Sequence, residues 1–187
     1  MRDFWTQEAR NPAQSSGPVR LEPLTVDVLE PYLLGLADPE IGRLTGTRER
    51  FTRPQVEQWL RTRAEQTDRV DWAVHRATDG VFLGEAVLND VDRDNRSASY
   101  RVWLLREHWG QGHGTEVTRL ALAHAFGVLD LHRVELAVFA FNPRAQRAYE
   151  KAGFVLEGRR RQALRWDGAW HDDLVMAALN PAHLSAR

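Results

Sequence analysis

Cysteine is absent from the 187 residues of this chain, so disulfides, thiolate zinc sites and a cysteine nucleophile are all excluded. Lys151 is the only lysine, and no run of residues approaches the roughly 18 apolar positions that a membrane-spanning helix requires. The polar beginning of the chain, Met1 to Gly17, does not match a secretion signal either. A cytoplasmic protein without a membrane partner is therefore predicted.

Charge of one sign is not in excess, since 25 basic and 26 acidic residues give a formal net charge of -1. Such a chain has no overall field that would hold it on nucleic acid or on an anionic membrane, and no nucleic-acid partner is expected. Any anion must therefore be bound locally, and any catalysis must use oxygen and nitrogen groups.

The hydrophobic pattern predicts one α+β domain. Because 43% of the residues are hydrophobic, the chain can bury a single core. We expect the domain over residues 18–180, after an N-terminal arm at 1–17 and before a C-terminal tail at 181–187. Alternation and helical spacing predict a mostly antiparallel sheet flanked by helices. The predicted strands cover residues 19–24, 70–77, 81–89, 97–105, 134–140, 154–158 and 171–179, and helices follow Thr25, Thr52, the glycines at 110–114 and Asn142.

A glycine-rich turn separates a predicted strand from a predicted helix. Gly110, Gly112 and Gly114 alternate there, so several backbone amides can point into one space without β-carbons in the way. The spacing differs from the dinucleotide fingerprint and lacks the Lys-Ser/Thr of a nucleotide-triphosphate loop. The turn indicates an anion site, but alone it does not name the anion.

From Trp109 onward, the run WGQGHGTEVTRLALAHAFGVLDLHRVELAVFAFNPRAQRAYEKAGF resembles the cofactor-binding core of the GNAT acetyltransferase superfamily. The continuation GFVLEGRRRQALRWDGAWHDDLVMAAL, with DPEIGRLTGT and GEAVLND upstream, is similar to the RimJ/RimL branch, which acetylates ribosomal-protein N-termini. The resemblance covers roughly Arg20 to Leu179. It implies a GNAT fold with a splayed strand pair at the acetyl-CoA site. It also implies transfer of an acetyl group to a primary amine by direct attack in a ternary complex.

The resemblance also implies roles for particular residues. The turn would bind the pyrophosphate of acetyl-CoA, with Trp109 where the family usually has Gln or Arg, and Asn142 would contact the pantetheine arm while capping its helix. Tyr149 would protonate the leaving thiolate; the alternative is a packed aromatic ring whose hydroxyl is already hydrogen-bonded. Some relatives use a serine three positions after the asparagine, where this chain has Ala145. The expected cofactor-binding set is Trp109, Gly110, Gln111, Gly112, His113, Gly114, Thr115, Asn142 and Tyr149.

Two carboxylates are candidates for the general base. Strand alternation places Glu85 on the side of Leu83 and Val87, where partial desolvation would raise its pKa towards neutrality. The alternative for Glu85 is an ion pair with Arg101. Glu135 is the weaker candidate, because it alternates with Arg133 and a surface ion pair is expected. A chain of water molecules is a further alternative for the base.

The remaining residues neither indicate a metal site nor identify the acceptor amine. No metal is expected, because His113 and His124 lack metal-ligand spacing and the run from His171 to Asp173 is expected to form hairpin charge pairs. His124 is expected in the core. The amine acceptor is either a peptide N-terminus or a small molecule. A homodimer is a candidate assembly, and the sequence does not determine the oligomeric state. A second hypothesis is a GNAT-fold sensor or scaffold that binds CoA without transferring acetyl groups. Four tryptophans are candidates for the wall of an acceptor pocket: Trp103, Trp109, Trp166 and Trp170.

Overall fold

A computed structural model of the chain describes residues 6, 9 and 13–184. Its centre is an eight-stranded sheet with the strand order β1-β2-β3-β4-β5-β6-β8-β7. Neighbouring strands are antiparallel except for β5 and β6, which run parallel. The strands are β1 Gln14–Ser16, β2 Val19–Pro23, β3 Val70–Arg76, β4 Phe82–Asp92, β5 Ser97–Leu104, β6 Arg133–Phe139, β7 Val155–Trp166 and β8 Ala169–Leu179.

Within residues 13–184, six helices flank the sheet, and their ends follow local capping chemistry. Thr52 and Gln55 form a capping box at the start of α3, and Asn142 caps α5, which Gly153 ends in the left-handed conformation. Short 3₁₀ turns cover Val26–Val28, Arg63–Glu65 and Arg106–His108. The helices are α1 Leu29–Ala37, α2 Pro39–Thr45, α3 Arg53–Arg61, α4 His113–Gly127, α5 Pro143–Ala152 and α6 Pro181–Leu184.

The predicted fold class is confirmed, with three differences in detail. No helix was predicted between those that follow Thr25 and Thr52, yet α2 lies there, because the Asp38 side chain accepts hydrogen bonds from the amides of Glu40 and Ile41. The strand β7 is longer than expected, since it continues to a turn at Asp167-Gly168. Part of the predicted arm, Gln14–Ser16, pairs with β2. The rest of that arm lies largely outside the described residues, as does the end of the predicted tail.

The two faces of the sheet bury separate hydrophobic clusters. On one face, α4 packs through residues such as Val117 and Ala121. On the other face, α1 and α3 cover the sheet, and Tyr32 and Leu60 are among the buried residues. The helix α1 lies very close to β5, because a Cβ added at Gly35 would be 2.3 Å from the Trp103 ring.

Candidate active site

The glycine-rich turn presents free backbone amides beside open space. Gly110 and Gly112 have positive φ angles of 76° and 84°, and a Cβ added at either would meet no atom within 4 Å. Within the described part of the chain, the amides of Gly112, His113 and Gly114 at the start of α4 donate no hydrogen bond. The dipole of α4 adds partial positive charge at the same end. The turn therefore has the geometry of the predicted anion site and fits a phosphate-bearing ligand.

An arginine lies next to this turn. The Cζ atom of Arg144 is 3.8 Å from the centroid of the Trp109 ring, and the Trp109 Nε1 atom donates a hydrogen bond of 2.7 Å to the carbonyl oxygen of Leu104. Burial lowers the pKa of Arg144, and Glu40 partly opposes that effect from a distance. No carboxylate among the described residues forms an ion pair with Arg144. Its cationic group is thus held at the turn by stacking and is free to bind an anion.

The parallel strands β5 and β6 separate after a short paired segment. Ser97–Ser99 pairs with Arg133–Glu135, and the remainders of these two fully described strands do not pair with each other. Because the unpaired segments diverge towards the glycine-rich turn and the N-terminus of α5, an opening forms in the sheet. This is the splayed strand pair predicted from the resemblance.

Tyr149 lies beside that opening. Its ring centroid is 6.3 Å from that of Tyr100, the first residue of β5 beyond the paired segment. Burial raises the pKa of Tyr149 to about 12, so the hydroxyl carries its proton at neutral pH. Among the described residues, the hydroxyl has no hydrogen-bond partner. A tyrosine that only packs in a core normally has a bonded hydroxyl, so this one is suited to a polar group of a ligand.

Asn142 lies at the N-terminus of α5, at the end of the opening where β5 and β6 are furthest apart. Its side-chain oxygen accepts a hydrogen bond of 3.2 Å from the amide of Ala145, so the predicted capping role is confirmed. The side-chain amide nitrogen is not used by the cap.

Glu85 lies in a closed polar cluster on the α1 face of the sheet. The side chain is 4% exposed. The Tyr32 hydroxyl donates to its Oε1 atom at 3.1 Å, and the Trp103 Nε1 atom donates to its Oε2 atom at 2.8 Å. Both carboxylate oxygens are therefore already engaged by neighbouring rings.

The surroundings of Glu85 explain its proton affinity. Burial is the largest effect, and the negative charge of Asp71 adds to it, so the pKa of Glu85 is raised to about 7. The hydrogen bonds from Trp103 and Tyr32 and the distant charge of Arg101 oppose this rise. Asp71 itself is held by Arg69 in a two-bond ion pair of 2.7 and 2.6 Å. The carboxyl group of Glu85 thus holds its proton at a higher pH than an ordinary glutamate does.

Two details differ from the expected surroundings of Glu85. Its bonded partners among the described residues are Tyr32 and Trp103, and Arg101 forms no ion pair with it. Leu83 belongs to the cluster on the opposite face, because a register shift in the β3–β4 pair interrupts the alternation of β4. The expected burial of Glu85 is nevertheless confirmed.

A groove of about 900 Å³ lies on the α1 side of the molecule. Its walls are the end of α1, the start of α2, the loop 47–51 and the tip of the β7–β8 hairpin, where Trp166 lies. Trp166 is the one member of the predicted tryptophan set that borders this described groove. Trp103 packs against α1, Trp109 lies at the turn, and Trp170 is 58% exposed.

The remaining predicted groups form surface ion pairs or pack in the core. Glu135 forms the expected surface ion pair with Arg133, at 3.1 Å. Asp172 and Asp173 form hairpin ion pairs with arginines of β7 at 2.6 Å each. His124 is buried edge-on against Trp72, and burial lowers its pKa to about 4. No group of three or more potential metal ligands occurs in the described part of the chain.

Arg144 and Tyr32 were not predicted as site residues. The contact of Arg144 with Trp109 joins residues that are distant in sequence, and no local pattern predicts it. Tyr32 lies in the helix predicted after Thr25, but its hydrogen bond to Glu85 depends on how α1 packs on the sheet. The dipeptide Asp38-Pro39 could have predicted the start of α2, because Asp caps helices and Pro favours the first helical position.

Comparisons with known proteins agree with this architecture. Residues 19–155 match the family described as acetyltransferase (GNAT) domain. The chain is 32% identical over 156 residues to YjcK of Bacillus subtilis, provisionally named an N-acetyltransferase, covering 83% of this chain and 82% of that protein. It is 31% identical over 104 residues to spermidine N(1)-acetyltransferase of Vibrio cholerae, covering 56% of this chain and 60% of that protein.

A solved structure shares the fold. The spermidine N-acetyltransferase of Vibrio cholerae in complex with CoA and spermine superposes with a TM-score of 0.84 at 23% identity, over 91% of this chain and all of that one (100%). The chain belongs to the GNAT acetyltransferase family. The prediction that it is an acetyl-CoA-dependent N-acetyltransferase is confirmed. No helix of the described residues is long and apolar enough to cross a membrane.

Proposed function

We propose that this enzyme transfers the acetyl group of acetyl-CoA to a primary amine by direct attack within a ternary complex. The observation that carries the proposal is the arrangement at one end of the opening between β5 and β6. Free amides of the glycine-rich turn lie there with Arg144, and the unbonded hydroxyl of Tyr149 lies beside the same opening. A cytoplasmic location is part of the proposal and rests on the composition.

The turn and its neighbours would hold the donor. The amides of Gly112, His113 and Gly114 would donate to pyrophosphate oxygens, with the helix dipole of α4 supporting the negative charge. Arg144 would add a cation at the edge of the same site. Asn142 would offer its unused side-chain amide to the pantetheine arm, within the opening of the sheet.

Tyr149 would act as the acid. Acetyl-CoA supplies the acetyl group as a thioester, and transfer forms a carbon–nitrogen bond while the carbon–sulfur bond breaks. The hydroxyl of Tyr149 would give its proton to the leaving sulfur, which suits a group that stays protonated at neutral pH. The proton that the amine loses would be taken up at Glu85 and released from there to solvent, and solvent would return one proton to the tyrosine, so the cycle closes without a net charge on the protein.

Glu85 would receive the proton of the amine indirectly. Its two oxygens are engaged, so an amine cannot bond to them while Tyr32 and Trp103 remain in place. The Tyr32 hydroxyl would pass its own proton to Oε1 as it takes one from a water molecule on its other side. A pKa of about 7 makes Glu85 a suitable proton acceptor near neutrality. Glu135 is not part of this proposal, because it is exposed and paired with Arg133.

The acceptor class follows the branch that the sequence resembles. Peptide N-termini are the proposed acceptors, as in the RimJ/RimL branch, and the segments similar to that branch support this choice. A small polyamine is the second candidate, because a relative of 31% identity is named a spermidine acetyltransferase.

A coupled assay tests the proposal. The protein is incubated with acetyl-CoA and pooled amines and N-terminal peptides, free thiol is followed, and the acetylated product is identified by mass spectrometry. We expect thiol release that depends on both the enzyme and an amine, with a product acetylated on nitrogen. Thermal stabilisation by acetyl-CoA without thiol release from any acceptor would instead favour a CoA-binding sensor and contradict the proposal.

A further inference from the structure

Asp71 of β3 lies beside Glu85 of β4 on the α1 face of the sheet. In this antiparallel strand pair, Ala73 is directly opposite Glu85. Asp71 precedes Ala73 by two residues, so the side chains of Asp71 and Glu85 leave the same face of the sheet. Residues in such diagonal positions lie roughly 7–8 Å apart. A second carboxyl group therefore adjoins the one that is proposed to take up the proton of the amine.

Both carboxyl groups are withdrawn from solvent. Asp71 is 5% exposed and Glu85 is 4% exposed. Arg69 donates hydrogen bonds of 2.7 and 2.6 Å to the two oxygens of Asp71, which fixes the position of this carboxylate. Solvent and salt screen buried charges only weakly. The negative charge of Asp71 therefore opposes a second negative charge on Glu85.

The charged groups around Glu85 include both signs. Those that interact with it in the described part of the chain are Tyr32 of α1, Arg63 of the 3₁₀ turn after α3, Arg69 and Asp71 at the start of β3, and Arg101 of β5. Of these charges, Asp71 has the largest effect on Glu85, and Arg101 opposes it. Burial raises the pKa of the Tyr32 hydroxyl most, and Glu85 and Asp71 raise it further. Asp71 thus acts on both members of the proposed proton path.

We propose that Asp71, fixed by Arg69, is a positioning residue for acetyl transfer that acts through Glu85. The inference rests on the proposed function, in which the proton of the amine reaches Glu85 by way of Tyr32. Beside Asp71, Glu85 binds a proton more firmly than an ordinary glutamate does, so it can accept one near neutral pH. Asp71 touches no substrate and forms no covalent bond in this role. One proton moves from the amine through water and Tyr32 to the Oε1 atom of Glu85, and then to solvent.

Titration of Glu85 tests the electrostatic part of this inference without any acceptor. Protein labelled with ¹³C in the side-chain carboxyl groups of glutamate is titrated by NMR, and Glu85→Gln identifies the signal by its loss. In the wild type we expect a midpoint at about pH 7. Asp71→Asn keeps the shape of the side chain and removes its charge. It should lower the midpoint by about one pH unit, because carboxylates at this separation repel each other by about that amount at an intermediate dielectric constant.

The pH dependence of the reaction tests the catalytic part. We measure kcat/KM between about pH 5 and about pH 8 with spermidine and with N-terminal peptides that release thiol in the coupled assay. Glu85 must be ionised to accept a proton, so the rate falls as pH falls through its pKa. The ratio of the Asp71→Asn rate to the wild-type rate should be about 5-fold higher at about pH 6 than at about pH 8. The ionisation of the amine cancels in this ratio, because it is the same for both proteins.

Asp173→Asn is the matched control. Asp173 is also a buried aspartate, 3% exposed, and Arg160 donates to both of its oxygens at 2.8 and 2.6 Å. It lies on β8, which β5 and β6 separate from β4, so Asp173→Asn should change neither the midpoint of Glu85 nor the pH dependence of the ratio.

A second variant covers the loss of folding that an unpaired Arg69 could cause. The double variant Asp71→Asn, Arg69→Gln removes both charges of the ion pair. The midpoint of Glu85 should again fall, by less than in Asp71→Asn, because Asp71 has the larger effect on Glu85.

The possible failures are distinguishable. An unchanged midpoint of Glu85 in the variants without Asp71, or an equal shift in Asp173→Asn, would overturn the inference and leave acetyl transfer standing. A lower midpoint with a rate ratio that does not vary with pH would also overturn it, because Asp71 would then act on Glu85 without affecting catalysis. Thiol release with none of the acceptors would overturn the proposed function itself, and with it this role of Asp71, whatever the titration shows.

Discussion

The substitution Glu85→Gln tests whether the buried carboxyl group titrates near neutral pH. Burial and the charge of Asp71 raise the pKa of Glu85 to about 7 from an ordinary value of 4.5. That difference corresponds to a free energy on the order of 3 kcal/mol. Glutamine has nearly the same shape and cannot ionise, so the variant lacks the cost of a buried negative charge.

The sign of the pH effect follows from proton binding. At a pH below the ordinary value, the carboxyl group is neutral in both the folded and the unfolded chain, and its burial has no charge cost. As pH rises from 4.5 to about 7, the unfolded chain loses the proton before the folded protein does, so the wild type loses stability. Above a pH of about 7, the full cost is present.

Urea denaturation of both proteins at several pH values measures this effect. Between about pH 5 and about pH 8, the free energy of unfolding of the variant should increase relative to wild type by about 2 to 3 kcal/mol. Altered hydrogen bonds to Tyr32 and Trp103 would change the free energy of unfolding of the variant by the same amount at every pH. They therefore do not affect how the difference from wild type changes with pH. Glu157→Gln is a control of opposite sign, since Arg133 lowers the pKa of Glu157. If the free energies of unfolding of Glu85→Gln and wild type differ by the same amount at all pH values, the raised pKa of Glu85 is refuted.

Three further substitutions address the donor site and the acid. Tyr149→Phe should lower kcat by about 10²-fold or more and leave the Kd of acetyl-CoA, measured by calorimetry, nearly unchanged; an unchanged kcat would remove the acid role. Gly112→Ala should weaken acetyl-CoA binding by about 10-fold, because it strains a left-handed residue and puts a methyl group beside the free amides; Gly127→Ala on the same helix should not, and equal affinities would place the phosphates elsewhere. Arg144→Gln should weaken acetyl-CoA binding by about 3- to 10-fold and leave the binding of pantetheine, which has no phosphate, unchanged. Arg61→Gln is its control, and an equal loss for both ligands would contradict a phosphate contact.

The sequence predicted features that depend on local pattern. The glycine-rich turn, the cap at Asn142 and the burial of Glu85 follow from residue type, spacing and alternation, and the structure has all three. The separation of β5 and β6 came from the resemblance to the GNAT superfamily. Strand lengths and the helix α2 were less accurate, because turn and capping chemistry set them.

Features that depend on tertiary packing were not predicted. The partners of Glu85 are rings brought over it by α1 and β5, so spacing along β4 gives its burial but not its hydrogen bonds. The stack of Arg144 on Trp109 joins α5 to the segment after the 3₁₀ turn Arg106–His108 and has no signature in either segment. The groove between the loop 47–51 and the β7–β8 hairpin likewise exists only once distant segments meet.

A crystal structure of the protein with CoA tests the central proposal most directly. We predict pyrophosphate oxygens at about 2.7–3.2 Å from the amides of Gly112, His113 and Gly114. We also predict the pantetheine arm between β5 and β6, with its sulfur beside the Tyr149 hydroxyl. A pyrophosphate bound away from this turn, or a sulfur atom remote from Tyr149, would contradict the account.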